Sequence, residues 1–370
     1  MSASCLQVDL NAITANAVLL KARARGALMA VVKAEGFGLG AVDVARAALA
    51  GGASQLGVTS VEEALDLRRE GLTVPVLSWL NPVDADFDAA IRAGVALAVP
   101  GRQHLDAVVR AGRRCARPAV VHLHADCGLA RDGAPPEMWW SLASSARRAQ
   151  VRGEVRVAGV MGHLARADTG PDNAGRASFQ RFVDVISRAG LGPVPRHLAA
   201  TSATLTDPAS HFDVCRVGAG LVGIDPSGST QLRATARWTA KVVAVRDVPE
   251  GTGIGYGHTF TTSGPTRLAN LAIGYGDGVP RVASGRAQVQ LNGHRCDIVG
   301  RVSMDQTVVD VRDDLTVKIG DEAIVFGAGE DGEPTLSDWA GWADTIPHEI
   351  LTGIGSRVPR IATRVAAATW

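Results

Sequence analysis

Apolar and polar positions change their rhythm twice along the chain. From residue 27 to about residue 223, short apolar runs recur at roughly 20- to 40-residue intervals. They are ALMAVVKA (27–34), QLGVTS (55–60), VPVLSWL (74–80), VALAVP (95–100), PAVVHLHAD (118–126), VRVAGVMGHLA (155–165), PVPRHLAATS (193–202) and VCRVGAGLVG (214–223). Short, nearly continuous apolar runs of this kind read as strands buried on both faces, the habit of parallel sheets. Between them, stretches such as AVDVARAALAGG and SVEEALDLRREG carry helical spacing and close on glycine. Eight strands alternating with helices predict an α/β fold, a (β/α)8 barrel of the TIM type, with an open doubly wound sheet as the other arrangement.

The second change comes after about residue 235. WTAKVVAVRDV, LANLAIGYG, AQVQLNGHRCDIVG and MDQTVVDV alternate valine with polar residues and are separated by Gly, Asp and Asn turns. That pattern predicts antiparallel β structure. The opening CLQVDLNAI is also strand-like and is expected to join this second domain. The expected boundaries are therefore a barrel over 9–232 and a mostly antiparallel β domain over 233–370, completed by the strand in 1–8. The only linker-like stretch is PSGSTQ (226–231).

At 370 residues the chain accommodates both domains. A formal net charge of +1 argues against a nucleic-acid surface, and no run of like charges offers a patch for a membrane. The five cysteines are scattered, with no CxxC and no metal spacing, so reduced thiols and no metal are expected. The N-terminus lacks a basic-then-apolar leader and no apolar run reaches bilayer length, which together lead to an expected cytoplasmic location. One bias changes how single residues read. Only four of the 38 basic residues are lysines (Lys21, Lys33, Lys241, Lys318) and only two residues are tyrosines (Tyr256, Tyr275). A lysine inside an apolar strand of such a chain is no casual surface charge.

Polar residues stand at the ends of several predicted barrel strands: Lys33, Asp126, His163, Ser202 and Arg216. In a barrel the C-terminal face carries function. An amine at the end of an apolar strand is desolvated, has a lowered pKa and attacks carbonyls, so Lys33 suits an aldehyde cofactor. A snorkelling lysine with a wet ammonium explains the same stretch equally well. The EGFGLG that follows lacks GxGxxG spacing and the Walker arrangement, so it does not support a nucleotide. HLAATS followed by RVGAGLVG places Ser202, Gly218 and Ala219 in the loops after strands seven and eight, a recurrent phosphate cradle, although small residues there also serve close packing. Aldehyde and phosphate together point to pyridoxal 5'-phosphate. Both tyrosines sit between glycines, in GIGYGHTF and IGYGDGVPR, as suits a phenol brought close to a ligand.

From VDLNAI to SRVPR the chain resembles the alanine racemase family of fold-type III pyridoxal-phosphate enzymes. The resemblance rests on VVKAEGFGLG, ADCGLAR, GHLARAD, AATSA, CRVGAGLVG, GIGYGHTF, IGYGDGVPR, VGRVSMDQ and SRVPR, in that order. It implies a homodimer with shared active sites, each completed by the partner's β domain, acting on a small amino acid by a two-base mechanism. Lys33 would be the Schiff-base lysine and the base toward the D-enantiomer, and Tyr256 of the other subunit the base toward the L-enantiomer. The resemblance places Arg216 on the pyridine nitrogen, His163 in the same network, and Arg131 on the cofactor phenolate and substrate carboxylate. Met304, with Asp305 nearby, would complete the carboxylate site, Tyr275 would line it, and Ser202, Gly218 and Ala219 would hold the phosphate.

Five departures cluster at the expected site. Phe37 and His348 stand where relatives carry tyrosines that reach the phosphate. His124 stands where a lysine, often carboxylated, positions the counterpart of Arg131. Glu35 and Leu39 replace the Asn and His of the usual KANAYGHG, and Glu35 is a candidate for the anion that the carboxylated lysine supplies elsewhere. His348 lies where the substrate side chain would point. L- and D-alanine are the expected substrates; the alternatives are serine, a specialised-metabolite intermediate, another fold-type III reaction, or an inactive cofactor-binding homologue.

Overall fold

The computed structural model of the chain describes residues 3–312 and 316–363. Contacts divide it into two units. One comprises residues 13–36 and 40–232, and the other the described residues of 1–12, 37–39 and 233–370. The first strand, β1 (Ser4–Asp9), belongs to the second unit.

In the first unit eight parallel strands follow one another: β2 (Ala27–Val31), β3 (Gln55–Val58), β4 (Val76–Ser78), β5 (Ala96–Val99), β6 (Ala119–His124), β7 (Val155–Met161), β8 (Arg196–His197) and β9 (Val214–Val217). Each pairs with its predecessor from β2 to β8, and β9 pairs with β2. Backbone bonds from Asp213 N to Arg196 O (3.0 Å) and from Arg216 N to Ala199 O (2.9 Å) close the ring between β8 and β9. This is the predicted (β/α)8 barrel. Met29, Leu77, Ala98, Met161 and Val214, from five of the strands, pack as one buried cluster. These apolar residues exclude water from the barrel's centre, so that polar chemistry is left to the strand ends.

The second unit is the predicted β domain. The long β10 (Ala236–Val248) pairs antiparallel with β1 and with β17 (Glu322–Phe326) along its first half. A bulge between Val242 and Ala244 turns its second half onto β13 (Thr266–Leu271). Between β10 and β13 lie the short β11 (Gly253–Ile254) and β12 (Phe260–Thr261). The ladder runs on from β13 through β16 (Thr307–Arg312), β15 (His294–Ile298) and β14 (Gln288–Leu291) to β17. β18 (Arg360–Thr363) pairs parallel to β1, the exception in an otherwise antiparallel sheet. Alternate residues of β1 are buried, as its sequence alternation predicts. Trp238 packs edge-on against Phe326 and satisfies its indole N–H on Ser4 Oγ (3.0 Å).

Candidate functional site

Lys33 lies two residues beyond β2, where the chain leaves the barrel in an unusual way. Ala34 (φ 51°), Glu35 (φ 55°), Gly36 (φ 61°) and Phe37 (φ 60°) form a left-handed turn. Only one of them is glycine, and a left-handed L-residue costs about 1–2 kcal/mol. Bonds from Gly36 N to Val32 O and from Gly40 N to Glu35 O, both 2.9 Å, span the turn. Glu63 Oε1 accepts from Ala34 N at 2.7 Å. Lys33 itself makes no side-chain hydrogen bond or ion pair among the described residues. Burial lowers its pKa and the Arg131 charge lowers it further, while Glu63 opposes the shift. Lys33 is half-buried, which favours the desolvated amine over the wet, snorkelling one.

Arg216, on β9, is 5% exposed and sits in a cage of acceptors. One terminal nitrogen donates to His197 O (2.8 Å) and faces His197 Nδ1 (3.2 Å). The other donates to Gly162 O (2.7 Å) and Leu198 O (3.3 Å) and faces His163 Nδ1 (3.3 Å). Its Nε bonds to no described residue. A guanidinium only donates, so both Nδ1 atoms must accept and both imidazoles carry their proton on Nε2. His197 Nε2–H then donates to His122 Nδ1 at 2.8 Å. Burial and then the Arg156 and Arg216 charges push His122 down to about 4. Burial, then Arg216, Arg131, His124 and Lys33, push His163 down to about 3. His197 falls well below its ordinary value, by burial and then through His122, Arg216 and His124. Burial lowers Arg216 only to about 10, so it stays charged at neutral pH among neutral imidazoles.

His122 and His197 were absent from the residues expected from sequence. Their contact crosses β7, and Gly159 on that strand makes the space: a Cβ there would lie 2.4 Å from His122 Nδ1. The glycine in VAGVMG, level with a histidine on the neighbouring strand, is the signal that was available.

Arg131 rides on a tightly built loop after β6. Asp126 Oδ1 accepts from the N–H groups of Gly128, Leu129 and Ala130 at 2.9–3.1 Å. The loop's two ends are joined by Asp126 N to Ala134 O (2.9 Å) and Ala134 N to His124 O (2.8 Å). His124 Nδ1 faces Asp132 Oδ2 at 3.4 Å. Burial pushes the Asp132 carboxyl up, but the His124 bond and charge and the Gly133 N–H outweigh it and hold it low. The anion beside His124 is thus Asp132. Glu35, the candidate from sequence, instead uses Oε1 to accept from Ala41 N (3.1 Å) at the start of the next helix.

At the ends of β8 and β9, Ser202 lies in the first turn of the helix Thr201–Thr206. Gly218 and Ala219 keep backbone N–H groups that bond to no described residue, while Gly220 N donates to Thr201 Oγ1 (3.2 Å). The Ser202 hydroxyl donates to Asp168 Oδ1 at 2.5 Å, so a carboxylate already sits on this hydroxyl.

The second unit holds the remaining candidates. Tyr256 opens a 3-10 turn, Tyr256–His258, between two positive-φ glycines, Gly255 and Gly257, and is 72% exposed. Arg357 grips Asp277 through two bonds (2.7 and 3.0 Å), pairs with Asp305 (2.8 Å) and donates to Met304 O (3.3 Å). Gly276 N also donates to Met304 O (2.8 Å), and Tyr275 N to Ser303 O (3.0 Å). The Met304 carbonyl is therefore occupied and its N–H is left over. Phe37 and His348 meet as tilted rings 6.3 Å apart, with no hydroxyl between them.

Comparison with known proteins follows the same division. Residues 8–226 match the family described as alanine racemase, N-terminal domain, and residues 235–362 match alanine racemase, C-terminal domain. The alanine racemase of Thermobifida fusca is 45% identical over 365 residues, which cover 96% of this chain and 97% of that protein. The crystal structure of alanine racemase from Streptomyces lavendulae superposes with a TM-score of 0.95 at 40% identity, covering 99% of this chain and 98% of that one. The alanine racemase of Bartonella henselae, solved with covalently bound pyridoxal phosphate, superposes with a TM-score of 0.88 at 27% identity, covering 98% of this chain and 100% of that one.

Proposed function

The chain belongs to the alanine racemase family, and from that premise we propose that it interconverts L- and D-alanine with pyridoxal 5'-phosphate as cofactor. The observation that carries the reading is Lys33: a half-buried amine with no hydrogen-bond or ion-pair partner among the described residues, under the charge of Arg131 and beside His163 of the buried Arg216 cluster.

The residues fit each part of the cofactor. Lys33 Nζ is the amine for its aldehyde carbon. The Ser202 hydroxyl and the N–H groups of Gly218 and Ala219 suit a phosphate, whose oxygen replaces Asp168 as the serine's acceptor. The remaining Nε–H of Arg216 suits an aromatic nitrogen. When bound, the cofactor draws electrons from the substrate and makes its α-hydrogen acidic. Arg216 keeps its proton at neutral pH, so it would donate to an aromatic nitrogen without protonating it, and the electron demand would stay moderate. That favours moving one proton over side reactions. We assign the substrate carboxylate to Arg131 and to the Met304 N–H of a second copy's β domain. Lys33 Nζ exchanges the α-proton on one face and the Tyr256 hydroxyl on the other.

Because Tyr256 is largely exposed on its own chain, we assign it to the site of a second copy, in a homodimer with shared active sites. Five free cysteines accord with a cytoplasmic location, and no described helix is long and apolar enough to cross a membrane. A second reading changes only the substrate: the Phe37–His348 pair presents an imidazole where relatives have a phenol, which favours a polar side chain such as that of serine.

The test is incubation in deuterated water with single-enantiomer alanine, serine and a panel of other amino acids, with pyridoxal phosphate added. Alanine is expected to exchange its α-hydrogen and to yield the opposite enantiomer. Lys33→Ala abolishes both. If the protein retains the cofactor and exchanges no amino acid, the racemase reading fails; exchange of serine but not alanine selects the second reading.

A further inference from the structure

The helix Val61–Arg69 begins with a capping box: Ser60 Oγ accepts from Glu63 N (3.2 Å), and Glu63 Oε2 accepts in return from Ser60 N (3.4 Å). This is an ordinary helix start. The rest of the Glu63 carboxylate does something else. Oε2 also accepts from Thr59 N and Thr59 Oγ1, both at 2.8 Å, and Oε1 accepts from Ala34 N at 2.7 Å. One carboxylate thereby joins the chain just beyond β2 to the chain just beyond β3.

Ala34 follows Lys33 and opens the left-handed run. With φ 51° and ψ 53° it holds a conformation that alanine disfavours. Its N–H acceptor is supplied by Glu63, 29 residues away. Were Ala34 to relax into the ordinary right-handed region, the backbone direction at Lys33 would change and its amine would leave its present location. We propose that Glu63 is a positioning residue for Lys33: its Oε1 anchors the Ala34 N–H, and with it the left-handed turn that presents the amine to the reacting atoms. The proposal rests on the reading of Lys33 given above.

The side chain is specific to this task. Aspartate keeps the charge but is one methylene too short to reach both Ala34 and Thr59. Glutamine keeps the length but offers a single oxygen to two sets of donors, and its NH2 group would face one of them. Glu63 also opposes the lowering of the Lys33 pKa, which agrees with its closeness to the amine.

The experiment compares Glu63→Gln, Glu63→Asp, Ser60→Ala and the double variant Glu63→Gln/Ala34→Gly. Each protein is stripped of cofactor and mixed with pyridoxal phosphate. The attached cofactor is fixed by borohydride at timed intervals, and labelled peptides are mapped. Lys21, Lys241 and Lys318 serve as internal references, since the chain has only four lysines. The kcat and KM for L-alanine and the melting temperature are measured in parallel. Both single Glu63 variants should attach cofactor at Lys33 about tenfold or more slowly relative to the references. They should lose kcat about tenfold or more, with KM within about threefold. Ser60→Ala removes one side of the capping box and should lower Tm by about 2–4 °C while leaving attachment and kcat within about twofold.

Glycine in place of Ala34 adopts the left-handed turn without help, so the double variant should recover part of the attachment rate. Wild-type attachment and kcat in either Glu63→Gln or Glu63→Asp overturns the proposal, as does a double variant no better than Glu63→Gln. If Glu63→Gln does not fold, Glu63→Asp decides. If the wild type attaches cofactor at Lys33 but racemises nothing, the racemase reading fails while the attachment rates still judge Glu63. If Lys33 attaches no cofactor, both fall.

Discussion

Acidification from pH 7.5 to pH 5 should destabilise the barrel through three buried histidines, His122, His197 and His163. His122 and His197 are buried, hydrogen-bonded to each other at 2.8 Å, and held neutral, His122 at about 4 and His197 well below 6.5. In the unfolded chain all three take up a proton near pH 6.5. Their folded pKa values are depressed, so the unfolded state binds more protons on the acid side. The stability they confer is fully present above about pH 6.5 and is lost as pH falls toward the folded values. At pH 5 each group lies about 1.5 pH units below its unfolded pKa, which costs about 2 kcal/mol; His163, pushed down to about 3, adds a like amount, so the three together cost about 6 kcal/mol. Paired carboxylates titrate mostly below this window and contribute little there. Urea unfolding of cofactor-free protein at half-unit pH intervals measures the effect, since cofactor affinity then does not enter. His122→Leu removes one of the three buried titrating groups and should remove about a third of the pH-dependent loss, whatever it does to stability at pH 7.5. A wild-type stability that changes by less than about 1 kcal/mol across the window, or an unchanged slope in His122→Leu, would refute the reasoning.

Three further outcomes are expected. Phe37→Tyr places a hydroxyl beside His348 in a site only 8% exposed; one charge-assisted bond to the cofactor phosphate should tighten its retention about tenfold or more, read by dialysis and absorbance. Asp132→Asn removes the charge facing His124 on the Arg131 loop and should raise the KM for alanine about threefold to tenfold with kcat nearly unchanged, because the Asp126 bonds still hold the loop. Gly274→Ala would place a Cβ 2.2 Å from Ser303 O and 2.4 Å from Met304 O; the forced shift should cost about 1–3 kcal/mol in thermal unfolding and raise KM through Met304.

The barrel was legible because each parallel strand is a short apolar run closed by polar or glycine residues, a pattern that local sequence carries by itself. The β domain was legible through the alternation of segments such as β1. What escaped was everything made by strands that are not neighbours in sequence. His122 reads as one more residue of an apolar strand until β6 and β8 flank Gly159. SVEEALDLRREG announces its helix. Nothing local says that Glu63 reaches back to Ala34. Glu35 misled for the same reason: it was the candidate for the anion that the carboxylated lysine supplies elsewhere, while the carboxylate that faces His124 is Asp132, brought there as the loop after β6 folds back.

The arrangement of charge has a consequence for how Lys33 acts in the proposed reaction. Arg216 and Arg131 bring fixed positive charge to the barrel's strand ends, and that charge helps keep His163 neutral. The Lys33 amine responds to the same field: after burial, Arg131 is the largest cause of its lowered pKa. A lowered pKa suits the free amine that must attach the cofactor, but it makes a weaker base for taking the α-proton. The two demands are separated by the substrate. When a substrate carboxylate pairs with Arg131, the guanidinium's positive potential at Lys33 is largely cancelled and the amine's basicity rises. Burial still keeps it below that of a free lysine. In the proposed reaction Arg131 would thus both bind the substrate and set the strength of the base, so that the amine becomes most basic only when there is a proton for it to take.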